Sequence, residues 1–230
     1  MEAQADSRGR KRERVDLARS LDSCGTERER VDLGSSERER VAQGRLKGHL
    51  PRLAPESYRG PAFVHWTLTI ENRTTGWLTE TFHHDWCLCL LHTSARYHLA
   101  CPAYVLMPDH MHLVWLGFRD DSNQLPAIEF LRNHLGSALL PAAWQRQAHD
   151  HVLNVEEQKP DAFVNAAKYI FENPVRAGLV RSFAEYPYLS CCVPGYPDLD
   201  VRASDCWELF WRIYGRLVSP QRHSLTLAAT

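Results

Sequence analysis

Residues 104 to 118 run Tyr-Val-Leu-Met-Pro-Asp-His-Met-His-Leu-Val-Trp-Leu-Gly-Phe, and no other segment restricts the fold as much. The run is apolar and strand-like, and Pro108-Asp109 interrupts it. It therefore predicts a β-hairpin with arms at about 100–107 and 110–118. Side chains two apart on a strand share a face, so His110 and His112 point the same way from the start of the second arm. Two imidazoles placed like this can hold one metal ion. The triplet alone says little: twelve histidines in 230 residues make a chance pair unsurprising, and His149-Asp150-His151 is a second one.

Its companion lies downstream, in Asp161-Ala-Phe-Val-Asn-Ala-Ala-Lys-Tyr169-Ile-Phe-Glu-Asn173-Pro-Val-Arg-Ala-Gly-Leu-Val180. Phe163, Ala166, Ala167, Ile170 and Phe171 recur at helical spacing, Asp161 is a suitable N-cap, and Pro174 disfavours helix at the residue before it. Tyr169 thus sits near a helix end. Asn173 follows four positions later, on the same side of the last turn, which brings a phenol and an amide oxygen together. The Asn-Pro pair also reads as a helix cap with proline in the first turn, so Asn173 has a structural role open to it as well.

Three blocks, 103 to 115, Trp-Gln-Arg-Gln-Ala-His-Asp-His at 144 to 151, and Tyr-Ile-Phe-Glu-Asn-Pro-Val-Arg-Ala-Gly-Leu-Val at 169 to 180, occur in this order. In these the chain resembles the REP-associated tyrosine transposases, within the IS200-type single-tyrosine transposases and HUH single-strand endonucleases. The resemblance spans roughly 58 to 195. It implies that His110, His112 and Asn173 are ligands of one divalent ion, Mg²⁺ or Mn²⁺, and that Tyr169 is the nucleophile. It further implies cleavage and rejoining of single-stranded DNA through a 5′-phosphotyrosine, on a hairpin-forming repeat. Candidate DNA contacts are Trp144, Gln145 and Arg146, which offer an aromatic face and polar groups for a base, together with Lys168 and Arg176 for phosphate.

The remaining pattern predicts an α+β fold with a ferredoxin-like antiparallel sheet and its helices on one face. A strand at 63–71 precedes a turn at 72–76 and a helix at about 79–97. After the hairpin come a helix from Pro126 to Leu140 with Ile128, Leu131, Leu135 and Leu139, a short strand at 148–153, and the Tyr169 helix. The series is β-α-β-β-α-β. The aromatic stretch with Tyr186, Tyr188, Trp207, Phe210, Trp211 and Tyr214 predicts a short helix packed on the domain. Domain boundaries fall between a charged extension at 1–57, a catalytic domain at 58–195 and a helical tail at 196–230.

Residues 1 to 57 hold 13 Lys and Arg against 11 Asp and Glu, and the rest of the chain 14 against 17. A catalytic part at −3 by formal count does not coat duplex DNA indiscriminately, because such binding is driven by phosphate neutralisation. A small site gripping a hairpin or single strand is compatible with it. The extension repeats Arg12-Glu-Arg-Val-Asp-Leu17 at Arg28 and, imperfectly, at Arg38, and has no aromatic residue before Tyr58, so it has no means of building a core and is expected to be disordered. Seven cysteines without a Cys-x-x-Cys pair give neither a zinc ribbon nor a disulfide framework. With no apolar leader or spanning segment, the expected compartment is the cytoplasm. Monomer and dimer both remain open. Two rival readings fit the same residues: a zinc metallohydrolase built on His110, His112, His149 and His151, and a hairpin-binding module that does not cut.

Overall fold

The computed structural model describes residues 52–153 and 160–219. Its strands are β1 (Phe63–Thr69), β2 (Leu99–Met107), β3 (His110–Gly117), β4 (His149–Val152) and β5 (Leu189–Cys192). They form one sheet in the order β4-β1-β3-β2-β5, and every neighbouring pair is antiparallel. The helices are α1 (Glu80–Arg96), α2 (Gln124–Leu135), α3 (Pro160–Phe171), the single turn α4 (Asn173–Arg176) and α5 (Cys206–Val218). Through β4 the series is the ferredoxin-like one, with β3 inserted between β1 and β2, and β5 extends the sheet beyond β2.

Local chemistry accounts for the element ends. Thr79 caps α1 by accepting from the Phe82 backbone N–H at 3.1 Å, and Phe82, Trp86 and Leu90 at i, i+4 and i+8 are buried along its inner stripe. Asn123 caps α2 in the same way through the Leu125 N–H, so this helix begins two residues before the expected Pro126 and leaves that proline in the first turn. It stops at Leu135, five residues short of the expected end. The cap expected at Asp161 falls outside the described side chains. β2 shifts register between Ala100 and Ala103 against β3 and between Cys101 and Tyr104 against β5, in both cases across Pro102, which has no N–H to contribute to the ladder.

The helices do not share one face. Trp66, Leu68, Leu106, Leu113 and Trp115 pack on one side with Trp86 and Leu90 of α1 and Ile128 and Leu131 of α2. On the other side Phe63, Ala103, Val105, Val114 and Leu116 pack with Phe163, Ala167 and Ile170 of α3 and Phe210 and Ile213 of α5. All nine residues of β2 are buried, as a strand covered on both faces requires. Phe163 anchors the second layer: its ring centroid lies 5.0 Å from Phe63, 5.6 Å from Phe210 and 4.7 Å from Trp211. The expected C-terminal helix is therefore present as α5 and packs on the domain, with the Tyr214 hydroxyl donating to the Gly117 carbonyl at 2.8 Å.

The packed chain also starts earlier than Tyr58. Arg52 forms an ion pair with Asp150 at 3.1 Å, the Tyr58 hydroxyl donates to the same carboxylate, and Tyr58 is fully buried. Residues 52–57 thus belong to the domain rather than to the extension. The disorder expected of residues 1–51 lies outside the described residues.

At the far end of β3 the backbone passes so close to Gly60 that a β-carbon on Gly117 would lie 1.9 Å from the Gly60 carbonyl oxygen. Neither backbone can give way cheaply. Gly117→Ala is expected to cost about 1–3 kcal/mol, seen as a lowered Tm in thermal denaturation. An unchanged Tm would mean that this approach is looser than it stands here.

Candidate active site

β3 is buried along its length except at its first and third residues, His110 and His112, which are only half-buried. They share their face with Val114 and Leu116, the face covered by α3, but they stand where that cover ends. The Nε2 atoms of the two rings face each other at 3.1 Å. Each Nδ1 has a partner of its own. His110 Nδ1 lies 2.6 Å from an Asp109 carboxylate oxygen; His112 Nδ1 lies 3.0 Å from Thr67 Oγ1 and 3.1 Å from His65 Nε2. The β1–β3 register explains the second contact, since it sets Thr67 opposite His112 with His65 one step further on the same face.

This arrangement fits a metal ion. Two imidazole Nε2 atoms this close could both reach one ion. Nitrogens that ligate through Nε2 also need their Nδ1 held, as both are here. Burial first, then the neighbouring His65, His110, Arg176 and Arg73, pushes His112 down to about 2. Burial, with His151 and His149, likewise pushes His65 down to about 4. Both rings are therefore neutral at physiological pH. Burial alone would raise Asp109, but the His110 hydrogen bond and the Arg73 charge outweigh it and hold the carboxyl below its ordinary range.

The second half of the site comes from α3 and α4. Tyr169, 52% exposed, sits two residues from the end of α3, while its neighbours Ile170 and Phe171 are buried. Asn173 opens α4 and turns back: its Nδ2 donates to the Tyr169 and Ile170 carbonyls at 3.0 and 3.1 Å, satisfying carbonyls that the helix end leaves free. It caps α3 from behind rather than acting as the N-cap of the following turn, where Glu172 stands. With Nδ2 committed, Oδ1 accepts from Arg176 Nη2 at 3.1 Å. The Arg176 guanidinium lies 3.7 Å over the Tyr169 ring and also donates to the Tyr169 carbonyl. The Arg176 charge is also one of those that lower His112.

His110 and His112 thus come together, as do Tyr169, Asn173 and Arg176. Lys168 is exposed on α3 beside them. The Trp144 group is a different matter. Trp144 bridges Ile70 and gives its indole N–H to the Arg132 carbonyl at 3.0 Å, so this ring is half-buried and fixed; Gln145 and Arg146 remain exposed. Three residues near the histidines carry no motif of their own: His65, Thr67 and Arg73, the last of which pairs with Asp109 at 3.1 Å. The polar alternation of His65, Thr67 and Thr69 marks one face of β1, but which partner that face meets depends on register.

Four histidines do not converge. β1 lies between β3 and β4, so His110 and His112 stand two strand spacings, about 9–10 Å, from His149 and His151. Among the described residues no group of three or more His, Cys, Asp and Glu is disposed to hold a metal. The four-histidine zinc site is therefore not formed. The six described cysteines are all free, and no described helix is long and apolar enough to cross a membrane.

No protein-family model matches the chain. Over 139 residues it is 24% identical to a Haemophilus influenzae protein assigned as a REP-associated tyrosine transposase, a match covering 54% of this chain and 76% of the relative. Its fold is similar to that of a REP-associated tyrosine transposase solved in complex with a REP hairpin. There the TM-score is 0.52 at 21% identity, with 62% of this chain and 81% of the other covered.

Proposed function

We propose that this protein is a metal-dependent single-strand DNA endonuclease and strand transferase, a transposase acting on hairpin-forming repeat DNA through a 5′-phosphotyrosine. One observation carries the reading: two Nε2 atoms meet at 3.1 Å with both Nδ1 atoms held, on the sheet face covered by α3, the helix that carries the exposed Tyr169. The likeness in sequence and fold to REP-associated tyrosine transposases, one of them bound to a hairpin, supports it.

In this reading His110, His112 and Asn173 are the ligands of Mg²⁺ or Mn²⁺. Held there, the ion supplies positive charge to the scissile phosphate and to the oxyanions of the transition state. Asn173 would serve the ion through Oδ1, the oxygen that now accepts from Arg176, and the Arg176 guanidinium would have a DNA phosphate as its alternative partner. Arg73, Lys168 and Arg146 add charge for the strand, and Gln145 offers an amide to a base. Trp144 orders the segment that carries the last two and is not free to stack.

The Tyr169 oxygen attacks phosphorus in line, and its proton leaves to solvent, to which the half-exposed side chain is open. A phosphotyrosyl bond to the 5′ end forms as the bond to the 3′ oxygen breaks, and that oxygen takes up a proton. One phosphodiester replaces another, so a 3′-hydroxyl can later reverse the step without ATP. Water as the nucleophile would discard that bond. One tyrosine permits one attachment at a time.

The test is cleavage of a hairpin oligonucleotide with single-stranded flanks. Mn²⁺ or Mg²⁺ is expected to support cutting, a chelator to stop it, and added metal to restore it. Binding without cutting under every divalent ion would establish the non-catalytic module instead, and cutting that survives chelation would remove the metal from the mechanism.

A further inference from the structure

His65 and Thr67 lie outside the ligand set and the nucleophile, yet both meet the one free edge of His112. A histidine that ligates through Nε2 carries its proton on Nδ1 and must give it to an acceptor, and the identity of that acceptor fixes both tautomer and ring plane. His110 has Asp109 for this purpose. His112 has no carboxylate. It has Thr67 Oγ1 at 3.0 Å and His65 Nε2 at 3.1 Å, with the His65 ring centroid 5.1 Å from its own. The β1–β3 pairing that places them runs without a register break from Phe63 opposite Leu116 to Thr69 opposite His110, so the contact is built into the sheet rather than into a loop.

We infer that His65 and Thr67 are positioning residues that accept a hydrogen bond from the His112 Nδ1–H and so aim its Nε2 at the cation. The inference rests on the proposed metal site of His110, His112 and Asn173. It adds an asymmetry: one ligand is steered by a carboxylate and the other by neutral groups. A neutral acceptor leaves His112 a weaker donor to metal than His110. The same shell leaves no carboxylate of its own to repel a DNA phosphate on the His112 side.

The experiment measures Mn²⁺ binding to the full-length protein without DNA, by the loss of the free-ion electron paramagnetic resonance signal. Wild type and His112→Ala come first: binding in wild type and its loss in His112→Ala establish the site, and no binding in wild type overturns the metal reading and this inference with it. His65→Leu/Thr67→Val then removes both acceptors. Its Mn²⁺ affinity is expected to fall about 10–100-fold. His65→Gln/Thr67→Val, which keeps one acceptor, is expected to recover most of that loss. Wild-type affinity in the Leu/Val protein overturns the positioning role while the metal site stands. Equal weakening in the Leu and Gln proteins also overturns it, because packing and not an acceptor would then be the cause. Circular dichroism and hairpin binding check that each variant is folded.

Discussion

Tyr169→Phe is expected to reduce strand cleavage by at least about 10⁴-fold, the scale on which removal of a nucleophile acts, while hairpin affinity stays near wild type. The substitution removes one oxygen from a side chain that is 52% exposed and contributes little to either core layer. The phenyl ring keeps its place beneath the Arg176 guanidinium, and the backbone carbonyl that accepts from Asn173 and Arg176 is untouched. Folding should therefore be unchanged, and the loss should appear in the rate and not in binding. Gel-based cleavage with a parallel binding titration measures both. Residual cleavage within tenfold of wild type would assign the nucleophile elsewhere.

His110→Ala and His112→Ala are expected to cost about 10²–10³-fold or more in cleavage, again with hairpin binding retained. The ligands act on charge that develops in the transition state, which recognition of the hairpin does not use. The two need not be equal. His112 is deeper in the sheet and holds two partners on β1, so its loss strands Thr67 and His65, whereas loss of His110 frees Asp109 to pair with Arg73 alone. The His112 variant should thus also lose some thermal stability, and the His110 variant less. If both lost hairpin binding as severely as cleavage, these residues would be DNA contacts or fold determinants and not ligands.

The parts of this site that are legible in the sequence are those set by neighbours along the chain. The two-residue turn at Pro108-Asp109 fixes the β2–β3 register, Met107 opposite His110, and with it the common direction of His110 and His112. Tyr169 and Asn173 are joined across one helical turn, and that link is visible as spacing. The contacts of Asn173 are less so: it reads as a cap for the turn it opens, but its amide points back onto α3. His65 and Thr67 stand in a strand whose alternation shows a polar face and nothing of what it faces. Their meeting with His112 is a matter of tertiary register, 45 and 47 residues away in sequence.

The second helical layer has a sign in the sequence that the ferredoxin-like expectation overrides. β2, Leu-Ala-Cys-Pro-Ala-Tyr-Val-Leu-Met, has no polar alternation, as a strand with apolar cover on both faces must. The Phe163, Ala167 and Ile170 stripe of α3 needs a surface of its own, and Ala103, Val105, Val114 and Leu116 provide it. That placement puts α3, the helix of Tyr169, on the sheet face that His110 and His112 share. β5 gives no such sign: four residues, Leu189–Cys192, are too few to show a period, and the strand exists because β2 offers an edge.

In the proposed reaction the Tyr169 oxygen becomes bonded to a DNA 5′ phosphate. Full-length protein incubated with Mn²⁺ and a hairpin oligonucleotide labelled on the 3′ side of the cut, then denatured and digested, can be searched by mass spectrometry for a peptide carrying nucleotide. The expected result is a covalent adduct on the peptide containing Tyr169, absent with chelator and absent from Tyr169→Phe. An adduct on another residue, or cleavage that releases a free 5′ phosphate with no adduct at any time, would mean that Tyr169 is not the nucleophile.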